Sequence, residues 1–212
     1  MDITVRMEKL CRDRKYPQPN QPAEYTPDIH VAIRQNYTAM VENIDRWTGI
    51  FLNEVKARGE LDNTIVVFSS DHGEMLGDHG RWGKSVPWQP SVGVPLVAAG
   101  PGIARNHISD SLVSVMDLAA TFLDYAGVPR PSDMDSRSLR PVLEKKSRTH
   151  REVVRSGLNQ WRTVRDNQYK LVRGFGVTDA PPMLFDLLAD PLENRNIAAN
   201  APDVVKRLSQ AL

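Results

Sequence analysis

The chain has little cysteine and no long hydrophobic run. Its 212 residues include a single cysteine, Cys11, which excludes an internal disulfide framework. No apolar stretch approaches the roughly 18 residues that a membrane-spanning helix needs. The start, MDITVRMEKLCRDRK, carries charges where a signal peptide has its apolar core. No membrane partner is therefore expected, and a cytoplasmic location is the default expectation, although the compartment is not determined.

The chain also lacks an excess of charge of either sign. Lys and Arg number 27 and Asp and Glu number 26, so the formal net charge is only +1. This balance gives no basic surface that would bind a nucleic acid. The apolar share of 41% and the charged share of 25% are typical of a globular protein. The length allows one sizeable domain, or one domain with a small addition.

A long amphipathic helix is the first element that the sequence predicts. The proline-rich stretch YPQPNQPAEYTP indicates an irregular segment over residues 1–26, and Thr26 and Pro27 then have the residue types of a helix start. Apolar residues recur behind them at steps of three and four, over about seven turns. They are Ile33, Tyr37, Met40, Ile44, Trp47, Phe51 and Val55. Gly59 is placed to end the helix.

Two short apolar runs follow the helix. IVVF (65–68) and VPLVAA (94–99) are continuously apolar, which predicts strands buried on both faces, as in a parallel sheet covered by helices. SVMDLAATFLDYAGVP predicts a further helix, with Ser114 and Asp117 at a spacing close to that of a capping box. This succession of helices and buried strands is the α/β pattern.

The pattern changes near residue 150. Residues 130–151 are polar and include the basic run EKKSRTHRE, so we expect an exposed connector. Short strand-like runs separated by turn residues then predict a meander, followed by a terminal helix near residues 202–212. We therefore predict an α/β core at 27–145 and a small α+β subdomain at 146–212, with a short antiparallel sheet and a terminal helix.

The segment SSDHGEMLGDHGRWGK (69–84) concentrates chemically active residues directly after the first predicted strand. In α/β sheets, ligands bind beyond the carboxyl ends of the strands. Asp71 and His72 could there offer an oxygen and a nitrogen to a divalent cation, and Lys84 could neutralise an oxyanion. The spacing leaves open a plain turn in which the aspartate accepts bonds from nearby amides. Two ligands are also fewer than a catalytic metal usually has.

The remaining histidines give weaker signals. His79 lies within the segment, and its position leaves open whether it supports the site or is an ordinary loop residue. His30, His107 and His150 lie in polar surroundings, so we expect them to be solvated.

Several segments, in order, resemble the sulfatases of the alkaline phosphatase superfamily. NYTAMVENIDRWTGIFLNEV resembles the family helix before the metal strand, and DNTIVVFSSDHGEMLGDHGRWGK resembles a metal-and-sulfate segment. Further segments follow in the order of the family: VPLVAAGPGI, VSVMDLAATFLDYAGVP, and WRTVRDNQYKLVRG together with LFDLLADPLENRNIA. The last two together resemble the carboxy-terminal subdomain. The resemblance implies an α/β fold class: part of an alkaline-phosphatase-like α/β/α sandwich followed by the small subdomain.

The resemblance also implies roles for residues. Asp71 and His72 would be ligands of one divalent metal, calcium or manganese. Lys84 would contact the sulfate group, and His79, with Trp82, would shape the mouth of the site, so that Lys84 and His79 are the catalytic candidates. The implied substrate is the sulfate ester of a small molecule or a saccharide. In the family the nucleophile is a formylglycine made from a cysteine.

The sequence departs from the family in one large respect. The motif that yields the formylglycine, Cys-x-Pro-Ser-Arg or its serine variant, occurs nowhere, and Cys11 in LCRDRK does not match it. The acidic metal ligands of the family's amino-terminal strand are missing too. The chain therefore resembles the carboxy-terminal half of a sulfatase, and we expect it to be inactive alone and to bind a cation weakly.

The missing half has a structural consequence. A strand that lacks its neighbour leaves an open apolar sheet edge, through which we expect self-association. Two other functions stay open: a catalytically silent sulfatase-like module, and a phosphate or phosphonate ester hydrolase of the same superfamily.

Overall fold

The computed structural model describes residues 26–176 and 179–212, so the predicted irregular segment lies, except for Thr26, outside the described residues. The helices are α1 (Pro27–Ala57), α2 (Gln89–Val92), α3 (Asp117–Tyr125), α4 (Arg140–Leu143) and α5 (Pro202–Ser209). The strands are β1 (Val66–Ser69), β2 (Leu96–Ala99), β3 (Val154–Leu158), β4 (Trp161–Arg165), β5 (Tyr169–Arg173) and β6 (Met183–Asp186). None of the helices in the described ranges is long and apolar enough to cross a membrane.

Helix α1 begins and ends where the sequence predicts. Thr26 is extended and Pro27 occupies the first helical turn. At the other end Gly59 has a left-handed φ of 74°. The N–H of Gly59 donates to the carbonyl of Lys56 at 2.9 Å, and that of Glu60 to the carbonyl of Val55 at 3.2 Å. These two bonds form a Schellman motif, which satisfies carbonyls that the helix end would otherwise leave unpaired.

The apolar stripe of α1 is covered only at its ends. Ile33 is buried and Val55 is half-buried, whereas the large side chains between them are 36% to 65% exposed. The helix therefore has the predicted amphipathic face, but most of that face has little to pack against in the described part of the chain.

Strands β1 and β2 form a two-stranded antiparallel ribbon, with Phe68 opposite Val97 and Val66 opposite Ala99. The predicted parallel arrangement is wrong for this pair. The prediction of burial on both faces is wrong as well, because Phe68 and Val97 are 44% and 60% exposed. A continuous apolar run indicates how much surface a strand can bury in a complete sheet, but it carries no information on strand direction.

Helix α3 anchors the segment that follows it. Its predicted apolar face is partly exposed, and the buried residues are Asp117, Ala120 and Thr121. The N–H of Ala120 donates to the hydroxyl of Ser136 at 2.9 Å, and the hydroxyl of Thr121 accepts from the N–H of Leu139 at 2.8 Å. Many of residues 130–151 are exposed, as predicted, but the segment is not a plain connector, since these hydrogen bonds and the burial of Leu139 attach it to α3.

The carboxylate of Asp117 is the centre of a buried polar network. It accepts hydrogen bonds from the N–H groups of Ser114 and Arg137, both at 3.0 Å, and from the guanidinium of Arg151. The Nε2 atom of His150 lies 3.0 Å from Oδ2 of Asp117. The side chain of His150 is buried, so the expectation that it is solvated is wrong. Burial alone would raise the pKa of Asp117, but these hydrogen bonds and the positive charge of Arg151 lower it to about 2.

The carboxy-terminal unit has the predicted meander and terminal helix. Its four strands are antiparallel in the order β3-β4-β5-β6. Val164, Leu171, Leu184 and, from α5, Leu208 form a fully buried cluster on one face of the sheet. Alternation of side chains across each strand explains why these residues share that face. The division of the chain at residue 145 stays a prediction.

The other face of this sheet carries a buried ion pair. Lys170 Nζ of β5 lies 2.5 Å from Oε1 of Glu193, and both side chains are almost fully buried. Oε2 of Glu193 accepts a hydrogen bond from the N–H of Gln89 at 2.5 Å, which joins the subdomain to α2. Burial lowers the pKa of Lys170, and the charge of Glu193 opposes that effect only in part.

Candidate active site

Asp71 and His72 follow β1 directly, as the sequence predicts. Oδ1 of Asp71 accepts a hydrogen bond from the N–H of His72 at 3.0 Å, which is the turn-forming bond of the plainer interpretation. Oδ2 of the same carboxylate lies 3.5 Å from Nε2 of His72. The carboxylate is 84% exposed. Asp71 thus stabilises the turn with one oxygen and keeps the other beside the imidazole.

The contacts of His72 determine which ring nitrogen is available. Nδ1 lies 2.9 Å from the carbonyl oxygen of Gly73, and because a carbonyl only accepts, Nδ1 carries the hydrogen. In the neutral ring Nε2 then keeps a lone pair, as a metal ligand requires. The ammonium of Lys84 donates to this same Nε2. The three side chains that the sequence predicts for the site therefore converge on one atom.

Lys84 reaches His72 because the intervening loop folds back on itself. The N–H of Met75 donates to the carbonyl of Gly83, and that of Gly77 to the carbonyl of Arg81, both at 2.8 Å. Gly77 and Gly83 have φ of 91° and 75°, values that glycine adopts without strain. Oε1 of Glu74 accepts from the N–H of Gly83 at 2.6 Å, so it holds the residue next to Lys84.

Sequence reasoning assigned no role to Glu74. The available signal was an acidic side chain directly beside Gly73, at the start of a loop that must return to its origin. Carboxylates commonly accept hydrogen bonds from the backbone of such turns.

Helix α1 holds the loop between His72 and Lys84 through contacts of two side chains. Arg34 Nε donates to the carbonyl of Leu76 at 2.8 Å, and its Nη2 pairs with Asp78 at 3.0 Å. The ring of Trp82 is buried, 5.1 Å from that of His30 between centroids. Trp82 therefore lies in the interior and not at the mouth of the site, and His30 packs against it.

His79 has a different environment from the three converging residues. It has a φ of 54°, and its ring stacks on that of Trp88 at 4.8 Å. Trp88 in turn meets the ring of Phe175 edge-on at 4.9 Å. These contacts join the loop to the carboxy-terminal subdomain, and the catalytic role of His79 stays a prediction.

The electrostatics of the site favour an ionised Asp71. Desolvation raises the pKa of its carboxyl group, but the electrostatic interaction with the neighbouring His72 ring, nearby backbone N–H groups and the ammonium of Lys84 together lower it below its ordinary value. A carboxylate oxygen and an imidazole nitrogen are suitable donors for a divalent cation. In residues 26–176 and 179–212, no group of three or more His, Cys, Asp or Glu side chains is placed to hold a metal. The donors therefore match a divalent metal in type, but a metal held here would need more ligands than these two.

A cavity of about 810 Å³ opens beside Asp71 and extends to β4 and β5. Five Arg and Lys side chains line it, against the two acidic side chains Asp71 and Asp110. Among them are Arg165 of β4 and Lys170, which lie opposite each other on neighbouring strands. Arg151 and Lys170 are already paired with Asp117 and Glu193, so three cationic side chains remain against two acidic ones and the positive excess of the lining is small. No sequence motif had pointed to Arg165.

Comparisons with known proteins identify the family of the chain. The family described as Sulfatase matches residues 8–128, and the family described as N-sulphoglucosamine sulphohydrolase, C-terminal matches residues 77–212. Arylsulfatase K of Canis lupus familiaris is 33% identical over 193 residues, which are 85% of this chain and 36% of that protein. The chain thus spans little more than a third of the length of this relative.

Two solved structures are similar to most of the chain. BT4656 in complex with its substrate D-glucosamine-2-N,6-O-disulfate is 29% identical, with a TM-score of 0.81, over 97% of this chain and 44% of that one. The phosphonate monoester hydrolase SpPMH from Silicibacter pomeroyi is 28% identical, also with a TM-score of 0.81, over 89% and 41%. The predicted α/β class is confirmed by these neighbours. The chain therefore belongs to the sulfatase family of the alkaline phosphatase superfamily, and it carries the carboxy-terminal part of that fold.

Proposed function

We propose that this chain is the carboxy-terminal part of a metal-dependent sulfuric ester hydrolase, and that it is inactive without the remainder of the fold. One observation carries the proposal: Asp71, His72 and Lys84 converge on Nε2 of His72. A carboxylate, an imidazole lone pair and an ammonium at one point provide both cation ligands and an anion contact.

Asp71, His72 and Lys84 would have different roles in the reaction. Asp71 Oδ2 and His72 Nε2 would hold a divalent cation, calcium or manganese, which supplies Lewis-acid stabilisation of an ester oxygen when it is bound. Nε2 has one lone pair, so it cannot bind a cation and accept from Lys84 at once. Holding a cation therefore frees the ammonium of Lys84 to neutralise charge that develops on the ester oxygens.

The cavity beside Asp71 supports a sulfated saccharide as the substrate class. Apart from Arg151 and Lys170, which are paired with Asp117 and Glu193, its wall carries three cationic and two acidic side chains, and an ester group at Asp71 would leave the rest of the molecule inside it. The structurally similar BT4656 is itself described with a disulfated glucosamine as its substrate. A sulfate ester of a smaller alcohol would use the same three residues.

The test compares the chain alone with an enzyme completed by an amino-terminal segment that bears a formylglycine nucleophile. With an aryl sulfate, the chain alone should show no turnover and the completed enzyme should be active. Lys84→Ala should lower kcat by about 100-fold or more and leave the metal bound, because one preset charge is lost. Asp71→Ala should lower metal content together with activity.

Lys56→Ala, at the exposed end of α1, is the matched control and should leave kcat unchanged. Turnover by the chain alone, or unchanged kinetics in Lys84→Ala, would contradict the proposal. Full metal occupancy in Asp71→Ala would remove Asp71 from the ligand set.

A phosphonate or phosphate ester hydrolase is the second candidate, favoured by the similarity to the hydrolase from Silicibacter pomeroyi. An aryl phosphonate monoester assayed beside the aryl sulfate separates the two, since the preferred ester has the higher kcat/KM. A silent module is the third possibility. An in-frame Cys-x-Pro-Ser-Arg segment in the DNA upstream of Met1 would count against it, and turnover of neither ester by the completed enzyme would favour it.

A further inference from the structure

The cavity beside Asp71 has an unpaired cation in its wall. Arg165 of β4 is half-buried and lines this cavity. In residues 26–176 and 179–212 its buried Nε atom has no hydrogen-bond partner, and no carboxylate there forms an ion pair with its guanidinium. A guanidinium stays charged at any ordinary pH and can only donate hydrogen bonds. Arg165 therefore needs an acceptor that carries negative charge.

The neighbouring ion pair does not supply that charge. Lys170 lies opposite Arg165 on β5, and its Nζ atom pairs with Glu193 at 2.5 Å. The other carboxylate oxygen of Glu193 accepts from the N–H of Gln89. Burial, and to a smaller extent the charge of Arg165, lowers the pKa of Lys170. Two cations thus share one carboxylate, and one positive charge beside the cavity is left for a further anion.

The hydroxyl of Thr163 is a second unpaired group in the same wall. Thr163 precedes Arg165 by two residues, so both side chains lie on the same face of the sheet. The residue is only 4% exposed and lines the cavity, and its Oγ1 atom has no hydrogen-bond partner in the part of the chain that the structure describes. Buried polar groups nearly always have a partner. A donor hydroxyl next to a donor guanidinium indicates that the missing partner is an acceptor.

We infer that Thr163 and Arg165 form a second anion site in the cavity, which takes a further sulfate group of a substrate whose reacting ester lies at Asp71, His72 and Lys84. A sulfate group offers several acceptor oxygens, and the fork of a guanidinium can bind two of them at once. The inference rests on the proposed function, because it takes the ligand to be a sulfated molecule.

A saccharide with two sulfate groups is the substrate class that this arrangement fits. Asp71 and Arg165 line one continuous cavity, and its volume of about 810 Å³ is in the range of sites that enclose a small organic ligand. The substrate described for the structurally similar BT4656 carries sulfate on two positions of one sugar. A ligand of this kind can place one sulfate at each end of the cavity.

The experiment measures binding of two sugars to the full chain by isothermal titration calorimetry. The sugars are D-glucosamine-2-N,6-O-disulfate and N-acetyl-D-glucosamine 6-O-sulfate, which lacks the second sulfate. We expect the disulfate to bind about tenfold more tightly, because it adds a charge-assisted hydrogen bond. Arg165→Gln should abolish this difference. Thr163→Val, which replaces the hydroxyl with a group of the same shape, should reduce the difference to a few-fold.

Two further variants serve as controls. Arg105→Gln removes the same charge from an exposed turn that does not line the cavity, and it should keep the tenfold difference. Lys84→Ala should weaken the binding of both sugars and leave the ratio of their affinities unchanged. Thermal unfolding checks the fold: Arg165→Gln should unfold at the same temperature as the unchanged chain or higher, because it removes a partly buried charge that forms no stabilising bond.

Three results would overturn the inference. Equal affinity of the unchanged chain for both sugars would show that no second sulfate is bound. A difference that persists in Arg165→Gln would place the second sulfate elsewhere. A clearly lower unfolding temperature of this variant would make Arg165 a structural residue. The measurement does not use turnover, so a completed enzyme that hydrolyses no sulfate ester would refute the proposed function and leave the anion site in place.

Discussion

The carboxy-terminal sheet and the α1 helix have similarly apolar sequence patterns but opposite burial. In the sheet, Leu171 and Leu184 are completely buried under α5. On α1, Trp47 and Phe51 are more than half exposed. The sheet and its covering helix lie within one stretch of about 60 residues, whereas α1 has no such partner in the described chain. A hydrophobic pattern therefore predicts which face an element can bury, but not whether the cover is part of the same chain.

The difference has an energetic meaning. Burying a large apolar side chain contributes about 1.5–3 kcal/mol. The carboxy-terminal unit obtains this stabilisation from its own residues, whereas the exposed apolar side chains in the middle of α1 do not obtain it in the described part of the chain. The chain should thus consist of a cooperative carboxy-terminal unit and a less stable region around α1. The following predictions test that comparison in order of decreasing effect.

Glu193→Gln should have the largest effect. It leaves the buried ammonium of Lys170 without its counter-charge, and removing one partner of a buried pair costs about 3–5 kcal/mol. The measurement is the free energy of unfolding from urea denaturation, followed by the intrinsic fluorescence of the four tryptophans. Lys170→Met combined with Glu193→Gln should recover most of the loss, because no unpaired charge then stays buried. A loss below 1 kcal/mol in the single variant would show that water reaches Lys170.

Leu184→Ala and Phe51→Ala form the most direct comparison of the two regions. The first removes a fully buried side chain and should lower the free energy of unfolding by about 2–5 kcal/mol. The second removes a side chain that is 65% exposed and should change it by about 0.5 kcal/mol or less in the chain alone. A similar loss in both variants would mean that α1 is already covered, and the comparison would fail.

Acidification should weaken the attachment of residues 130–151 to α3. The pKa of Asp117 is about 2 in the folded chain against an ordinary 3.8. A lowered pKa stabilises the fold above the ordinary value, and that stabilisation is lost as the pH falls from about 4 toward 2. The shift corresponds to about 2 kcal/mol.

Urea denaturation of the unchanged chain and of Asp117→Asn, at pH 7 and at pH 3, measures this contribution. The difference in the free energy of unfolding between the two proteins should be smaller at pH 3 than at pH 7. At the lower pH the unchanged chain loses part of the stabilisation by the Asp117 carboxylate, which the variant lacks at both pH values. A difference that is constant with pH would show that the network does not depend on the charge of Asp117.

The sequence was sufficient for features set by neighbouring residues. The ends of α1 follow from Thr26, Pro27 and Gly59, and the meander follows from its turns. The prediction that Asp71, His72 and Lys84 lie together depended on the family resemblance, since the spacing of the residues alone also allowed a simple turn. In the structure one oxygen of Asp71 forms the turn and the other lies beside His72, so Asp71 takes part in both arrangements.

Features set by distant pairs could not be predicted. The ion pair between Asp117 and Arg151 joins residues 34 apart, and the one between Lys170 and Glu193 joins residues 23 apart, so neither leaves a local pattern. His150 therefore seemed solvated, although Asp117 holds it in the interior. The antiparallel direction of β2 relative to β1 could not be predicted either, because the apolar residues of a strand do not encode its orientation.

The smallest effect belongs to the exposed ion pair at the end of α1, between Glu54 and Arg58 at 3.0 Å. Glu54→Gln should lower the free energy of unfolding by about 0.3–0.5 kcal/mol, because both side chains are mostly in water and salt screens their attraction. Raising the salt concentration to 1 M should reduce even this difference, whereas the Glu193→Gln effect should persist, since a buried pair is little screened. If Glu54→Gln lowered the free energy of unfolding by more than 1 kcal/mol, α1 would contribute to the cooperative unit of the chain, and the contrast between the two regions would fail.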